Sequence, residues 1–233
     1  MKRYLLLLCF CTLLASSQDR PGYVRDNSDW WSILKNDNWG VEIQPLPEQI
    51  NPKNFEIGSV ALGPQQFEKL TSAFGSAPVV ERGDASTGRH QVCYRSRKSD
   101  VFLIFEFGEV EENFYLFNSD ANWKGRESCT QSDKISRRLR TASGVGLDMS
   151  RAEVERILGA PDATKENRIF YLRTIHKKTT PSAFAEMRRD YPEKVSDERA
   201  HEMFDYYDES VYIEGRFIDS RLNYLVVSRS DTT

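Results

Sequence analysis

Histidine and cysteine are scarce in this chain, and it has no surplus of positive charge. Three histidines in 233 residues leave few ways to assemble a transition-metal centre or a histidine-based catalytic pair. None lies in an HExxH pattern, since His201-Glu202-Met203-Phe204-Asp205 ends in aspartate. His201 and Asp205 do share a helix face at i, i+4. A metal site is one reading of them and a solvated charged face the favoured one. His90 and Cys93 stand three apart in a strand-like stretch and point to opposite faces, which argues against a thiolate–imidazole pair. Lys and Arg number 32 against 35 Asp and Glu, a net charge of −3, so the basic surface that nucleic acid requires is missing. No phosphate-binding loop is present either: Gly83 to Arg89 is small and glycine-flanked, but no Gly-Lys-Ser/Thr follows. No cofactor and no metal are expected, and the chain does not read as an enzyme.

Long apolar runs are missing too. The one that occurs, Tyr4 to Leu14, follows Lys2 and Arg3 and precedes Ala15-Ser16-Ser17. It is far shorter than the roughly 20 residues that cross a bilayer. Its layout is that of a secretory signal peptide over residues 1–17, cleaved before Gln18. The expectation is an exported protein, periplasmic or secreted, with no transmembrane segment in the mature chain. Cys9 and Cys11 lie inside the run behind Leu8 and Phe10, which is not the small-residue context of a lipid-anchored cysteine. Without residues 1–17 there are 30 basic against 35 acidic residues, a charge of −5. Only Cys93 and Cys129 remain, and two cysteines in an exported chain most often pair. A bridge between them closes a 36-residue loop, a constraint of about 4 kcal/mol in the chain-entropy description. A reactive thiol is the alternative.

Residues 18–54 hold Pro21, Pro45, Pro47 and Pro52 and read as irregular, with one short helix around Trp30 and Trp31. Trp30, Trp31 and Trp39 are too apolar for a free tail and are expected to cover a hydrophobic face. From Phe55 the alternation through Ile57, Val60 and Leu62 predicts a strand. Gly63-Pro64 opens a helix carrying Phe67, Leu70 and Phe74, which Gly75 and Pro78 stop. Near residue 150 the same signals recur more fully. Ser150 and Glu153 make a capping box, Met149 and Val154 a hydrophobic staple, and Val154, Ile157 and Leu158 a buried stripe. Gly159 and Pro161 end it. Strands follow each helix: 90–96, 101–107 and 113–117 after the first, 168–174, 210–218 and 221–229 after the second. At an offset of 110, Val101 matches Val211, Phe107 matches Phe217 and Phe114 matches Tyr224. The fold class is therefore α+β, in two tandem repeats, each a short helical segment followed by an antiparallel sheet. The sheet is expected to have one wet face and one covered by the helices. The second copy carries a charged insertion at about 175–209 with two short helices, 182–191 and 196–207.

Gly144 to Val154, with Gly159-Ala160-Pro161, resembles the SmpA/OmlA, or BamE-like, domain: a Gly-Met-Ser/Thr turn, a short helix containing Glu-Val and a Gly-x-Pro stop. The doubling is similar to the two-repeat beta-lactamase inhibitor proteins. The resemblance implies a degenerate first repeat over 55–125 and a second over 126–233. It implies an exported module of the bacterial cell envelope that binds other proteins without catalysis. In one branch the partner belongs to outer-membrane assembly; in the other it is an enzyme to be inhibited. The chain departs from the pattern in having Asp148 where glycine is usual and in its long insertion.

Candidate binding residues follow from the strands and loops. Phe102, Phe105, Phe107, Phe114, Tyr115 and Phe117 make an aromatic hairpin with one side in the core and the other expected at the surface, as in protein interfaces. Phe102, Phe114 and Tyr115 are its candidate contacts. Asp84 and Arg89 flank the 83–89 loop as charged contacts, with a flexible hairpin-like connection as the plainer reading. Arg137, Arg138 and Arg140 read as a solvated linker helix, with an acidic partner or anionic lipid as alternatives. The partner expected is a protein; a hydrolase or metal enzyme built around His201 and Asp205 is the remaining alternative.

Overall fold

The computed structural model describes residues 51–63, 67–82, 89–108, 111–119, 129–190 and 196–232. The signal-like segment, the tryptophan-bearing stretch, Pro64 and Asp84 lie outside the described residues. The fold is mixed α+β and mostly sheet. No helix among the described residues is long and apolar enough to cross a membrane.

A 3-10 turn at Pro52–Phe55 leads into β1 (Glu56–Ile57) and β2 (Val60–Ala61), a two-stranded ribbon. This corrects the single strand expected across Phe55 to Leu62. Gly58 and Ser59 both take positive φ, 57° and 67°, and fold the alternating run back on itself. α1 (Phe67–Phe74) buries Leu70 and Phe74. Then come β3 (Val80–Arg82), β4 (Arg89–Ser96), β5 (Val101–Phe107), β6 (Glu111–Asn118) and β7 (Thr130–Ser132). After α2 (Arg151–Leu158) follow β8 (Ala163–Lys165) and β9 (Arg168–Lys178), then α3 (Pro181–Asp190) and α4 (Asp197–Phe204), and finally β10 (Tyr206–Ile218) and β11 (Arg221–Thr232).

One sheet takes up all of β3 to β11. Its order is β3-β4-β5-β6-β11-β10-β9-β8, with β7 lying parallel to β4. The centre is the antiparallel β6–β11 pair, registered from Glu111↔Ser230 to Phe117↔Tyr224. The β10–β11 hairpin turns through Asp219 and Ser220, both at positive φ, and a bulge between Arg216 and Phe217 shifts its register by one residue. β9 and β10 run further than the alternation suggested, so α3 and α4 sit at the end of a long ribbon.

Both short helices lie on the same side of the sheet. Leu70 and Phe74 of α1 and Val154 of α2 share one core with Val92, Tyr94, Phe105, Phe114, Tyr171, Ile213 and Leu225. Phe74 meets Tyr94 at 5.3 Å and Phe105 at 5.9 Å between ring centroids. The capping box at α2 is formed: the Ser150 amide donates to Glu153 at 2.7 Å and the Glu153 amide to Ser150 Oγ at 3.3 Å. Glu153 is held below the usual carboxylate range, first by the Ser150 backbone bond and then by its hydroxyl. Met149 and Val154 pack into the same core. Each helix ends on a glycine at positive φ, Gly75 at 99° and Gly159 at 88°. The Tyr94 hydroxyl donates to the Gly75 carbonyl at 3.0 Å, and the Tyr171 hydroxyl to that of Gly159 at 3.1 Å. The expected linker helix at Arg137 to Arg140 is not there. Residues 133–149 form turns and isolated bridges. The Arg140 guanidinium folds back onto the carbonyls of Arg137 and Leu139, at 2.7 and 2.9 Å.

Candidate protein-binding face

Strand alternation gives the sheet a second face, turned away from α1 and α2. β4 sends Arg89, Gln91 and Cys93 to it; β5 sends Phe102, Ile104 and Glu106; β6 sends Glu111, Asn113, Tyr115 and Phe117. Across the central pair come Tyr224 and Val226 of β11, Tyr212, Glu214 and Arg216 of β10, and Arg168 and Phe170 of β9. The Cys93–Cys129 bridge is formed here, with its Cα atoms 4.7 Å apart, and ties β4 to the chain entering β7.

This face is not simply wet. Every residue of β5 is buried, because Phe102, Ile104, Phe117, Cys129, Tyr224 and Val226 make a second apolar cluster. Phe102 stacks on Phe117 at 5.5 Å, and Phe117 meets Tyr224 at 6.2 Å. Two of the expected contact residues are therefore corrected. Phe114 is 0 % exposed and lies in the helix-side core, and Phe102 is 1 % exposed within the second cluster. Neither side chain presents a surface. Tyr115 is half-buried on the second face, and its hydroxyl is pushed well up, first by burial and then by the charge of Glu106.

Sequence reasoning missed the two carboxylates that organise this face, Glu106 and Glu214, each 3 % exposed. Glu106 accepts from Gln91 and from Arg89, whose other arm reaches Glu111 at 3.2 Å. Glu111 in turn accepts from Ser228 at 3.0 Å. Arg89, expected to meet a partner, is thus engaged within the fold. Its pKa is raised: burial alone would lower it, but the Glu106 bond and the charges of Glu106 and Glu111 outweigh that. Glu214 accepts from Arg168 at 2.8 Å, from the Tyr212 hydroxyl at 2.9 Å and from Arg216. The Arg216 guanidinium lies 4.6 Å from the Tyr224 ring centroid, and that of Arg168 lies 5.1 Å from the Phe170 centroid. Burial raises the pKa of both Tyr212 and Tyr224, so their hydroxyls stay protonated donors. The signal was legible: Glu106, Glu214 and Arg216 are charges set inside otherwise apolar strands, where burial is tolerated only with partners.

Comparison with family models, curated proteins and solved structures finds no match.

The histidines are held elsewhere. His201 on α4 bonds Asp205 at 2.7 Å and stacks on Phe184 at 4.7 Å. His176 on β9 bonds Asp208 at 2.8 Å and stacks on Tyr206 at 4.6 Å. No group of three or more His, Cys, Asp or Glu converges among the described residues.

Proposed function

We propose that this chain is an exported, non-enzymatic protein-binding module of the bacterial cell envelope, linked to outer-membrane assembly or maintenance, and that it works through the second face of its sheet. The observation that carries the reading is the band of tyrosine, arginine and glutamate running from Arg89 to Arg168. Both central carboxylates have both oxygens engaged by the fold's own donors, which suits a fixed recognition surface better than a proton-transfer site. Tyrosine and arginine are also the residues that dominate binding energy at interfaces. The disulfide and the signal-like N-terminus support export.

Within the same reading, the two halves are copies of one BamE-like unit. The strand order, which runs inward to β6–β11 and outward again, supports this. So does the matched contact in each half between a strand tyrosine hydroxyl and the carbonyl of the glycine that closes the helix.

The test is in-cell crosslinking and affinity capture of the tagged mature chain, with envelope and medium fractions kept apart. Stoichiometric recovery of outer-membrane assembly proteins is the expected result. Recovery of one soluble enzyme from the medium would replace this reading with that of a secreted inhibitor. Loss of a bound metal or of hydrolytic activity on substituting His201 and Asp205 would replace it with an enzyme.

A further inference from the structure

We propose that the free edge of β9 receives an extended segment of a partner protein as an added strand, with an acidic side chain set against Lys178. The proposal rests on the protein-binding reading above and gives it a second point of contact. β9 pairs with β10 from Arg168 to Lys178 without a register shift. On its other side β8 covers only Arg168 to Phe170. The Leu172 amide then donates to the Asp162 carboxylate at 2.7 Å, and the Leu172 carbonyl accepts from the Arg173 guanidinium at 2.9 Å. The even-numbered residues therefore turn their backbone groups away from β10, and the strand period carries that pattern to Thr174, His176 and Lys178. Among the described residues no hydrogen bond reaches the outward N–H and C=O groups of Thr174 and His176. Thr174 is half-buried, and His176 and Lys178 are exposed, so the edge is open to solvent.

The opposite end of the sheet is closed where this one is open. There β3 covers Arg89 to Gln91 of β4, and β7 covers Tyr94 to Ser96. Proteins blunt an exposed edge with a bulge, a proline or a covering element. The stretch from Thr174 to Lys178 has no proline, no bulge and no cover among the described residues. A strand that joins such an edge bonds through its main chain, and its alternate side chains supply the selectivity. Here charge selects. β9 carries Arg168, Arg173, His176, Lys177 and Lys178 and no acidic residue. Arg173 meets Asp162, His176 meets Asp208 and Lys177 meets Glu209, whereas Lys178 meets no acid among the described residues. A β9 strand from a second copy would bring the same cations edge to edge, so the complement is a segment of another protein bearing Asp or Glu. Beside the edge, Tyr206 is 46 % exposed and stacks on His176 at 4.6 Å between centroids, a ring pair that an apolar neighbour of that acid can cover.

The test adds the peptide acetyl-Val-Glu-Val-Glu-Val-amide to the full mature chain and follows backbone amide exchange by NMR. The outward groups of Thr174 and His176 place its affinity at about 1 mM. At about 10 mM it should therefore slow exchange at those two amides about tenfold. Ile175 and Lys177, already bonded to β10, should not change. N-methylation of one alternate set of the peptide's amides should abolish the effect and methylation of the other set should leave it, because an added strand bonds along one side. Lys178→Glu should weaken the peptide about fivefold. Four results overturn the proposal: no slowing at about 10 mM; the same response to both methylated peptides; equal action by a peptide with lysine in place of glutamate; or slow exchange at Thr174 and His176 in the free chain. In the last case residues 18–50 already hold the edge, or a second copy does if the mass doubles. The two readings fail separately. Envelope capture that is undiminished in Lys178→Glu, with no slowing by the peptide, removes the edge site and leaves the binding face. Slowing by the peptide with no envelope partner captured keeps the edge site and removes the envelope role.

Discussion

Replacing Tyr94 with phenylalanine removes one oxygen and keeps the ring that packs on Phe74. At neutral pH the variant loses the hydrogen bond to the Gly75 carbonyl. Gly75 is exposed, so its carbonyl turns to water and the loss sits near the usual net value of about 1 kcal/mol. The alkaline side is more telling. Burial pushes the Tyr94 hydroxyl up from 10.0 to about 12, so the folded state holds this proton more tightly than the unfolded chain. The resulting stability is complete below pH 10 and is lost as pH rises towards 12, about 2–3 kcal/mol in all. The variant has no such proton to lose. Urea unfolding of both proteins by circular dichroism, from pH 8 to 12, should show the wild type ahead by about 1 kcal/mol, level near about pH 11 and behind beyond it. A difference that does not change with pH would refute the argument, because the hydroxyl would then not be held neutral by its burial. Tyr171→Phe should cost the same at neutral pH, and the double variant should cost the sum, since the two contacts share no partner.

Cys93→Ala with Cys129→Ala should cost about 4 kcal/mol by the loop-closure argument, and adding reductant to the wild type should lower the melting temperature to that of the variant. Asp148 sits at φ 66°, so Asp148→Gly should raise stability by up to about 1 kcal/mol in urea unfolding. Glu106→Ala leaves Arg89 and Gln91 facing a buried gap and should cost about 3 kcal/mol, measured by the same assay.

The helices were the most legible part of the chain. The signals around Ser150 are local, each involving residues within four positions, and their agreement placed α2 at its observed bounds. Val101–Phe107 was also placed as observed, since turn residues bound it on both sides. What sequence could not show was which strands meet. The β6–β11 pairing is set by the packing of both halves against one core and leaves no local trace. The failed linker helix has the same root: Arg137 to Arg140 carry helix-compatible residues, but their backbone is claimed by neighbouring turns. Among the candidate contacts, the error lay in reading aromatic residues as surface. Alternation says which face a side chain takes; it does not say whether that face is open, and Phe102 is buried within a second cluster.

The β6–β11 pair joins residues more than a hundred positions apart. Closing such a loop takes entropy that no earlier contact returns, which places this protein among slow folders. Until β11 arrives, β6 offers an unpaired edge carrying Phe114, Tyr115, Leu116 and Phe117, a sequence that templates aggregation when left open. An exported chain would meet this hazard after translocation. Yield in the cell should therefore depend on holdase chaperones of that compartment more than on the stability of the finished fold, and variants that slow β11 docking should be lost to aggregates even when their equilibrium stability is unchanged.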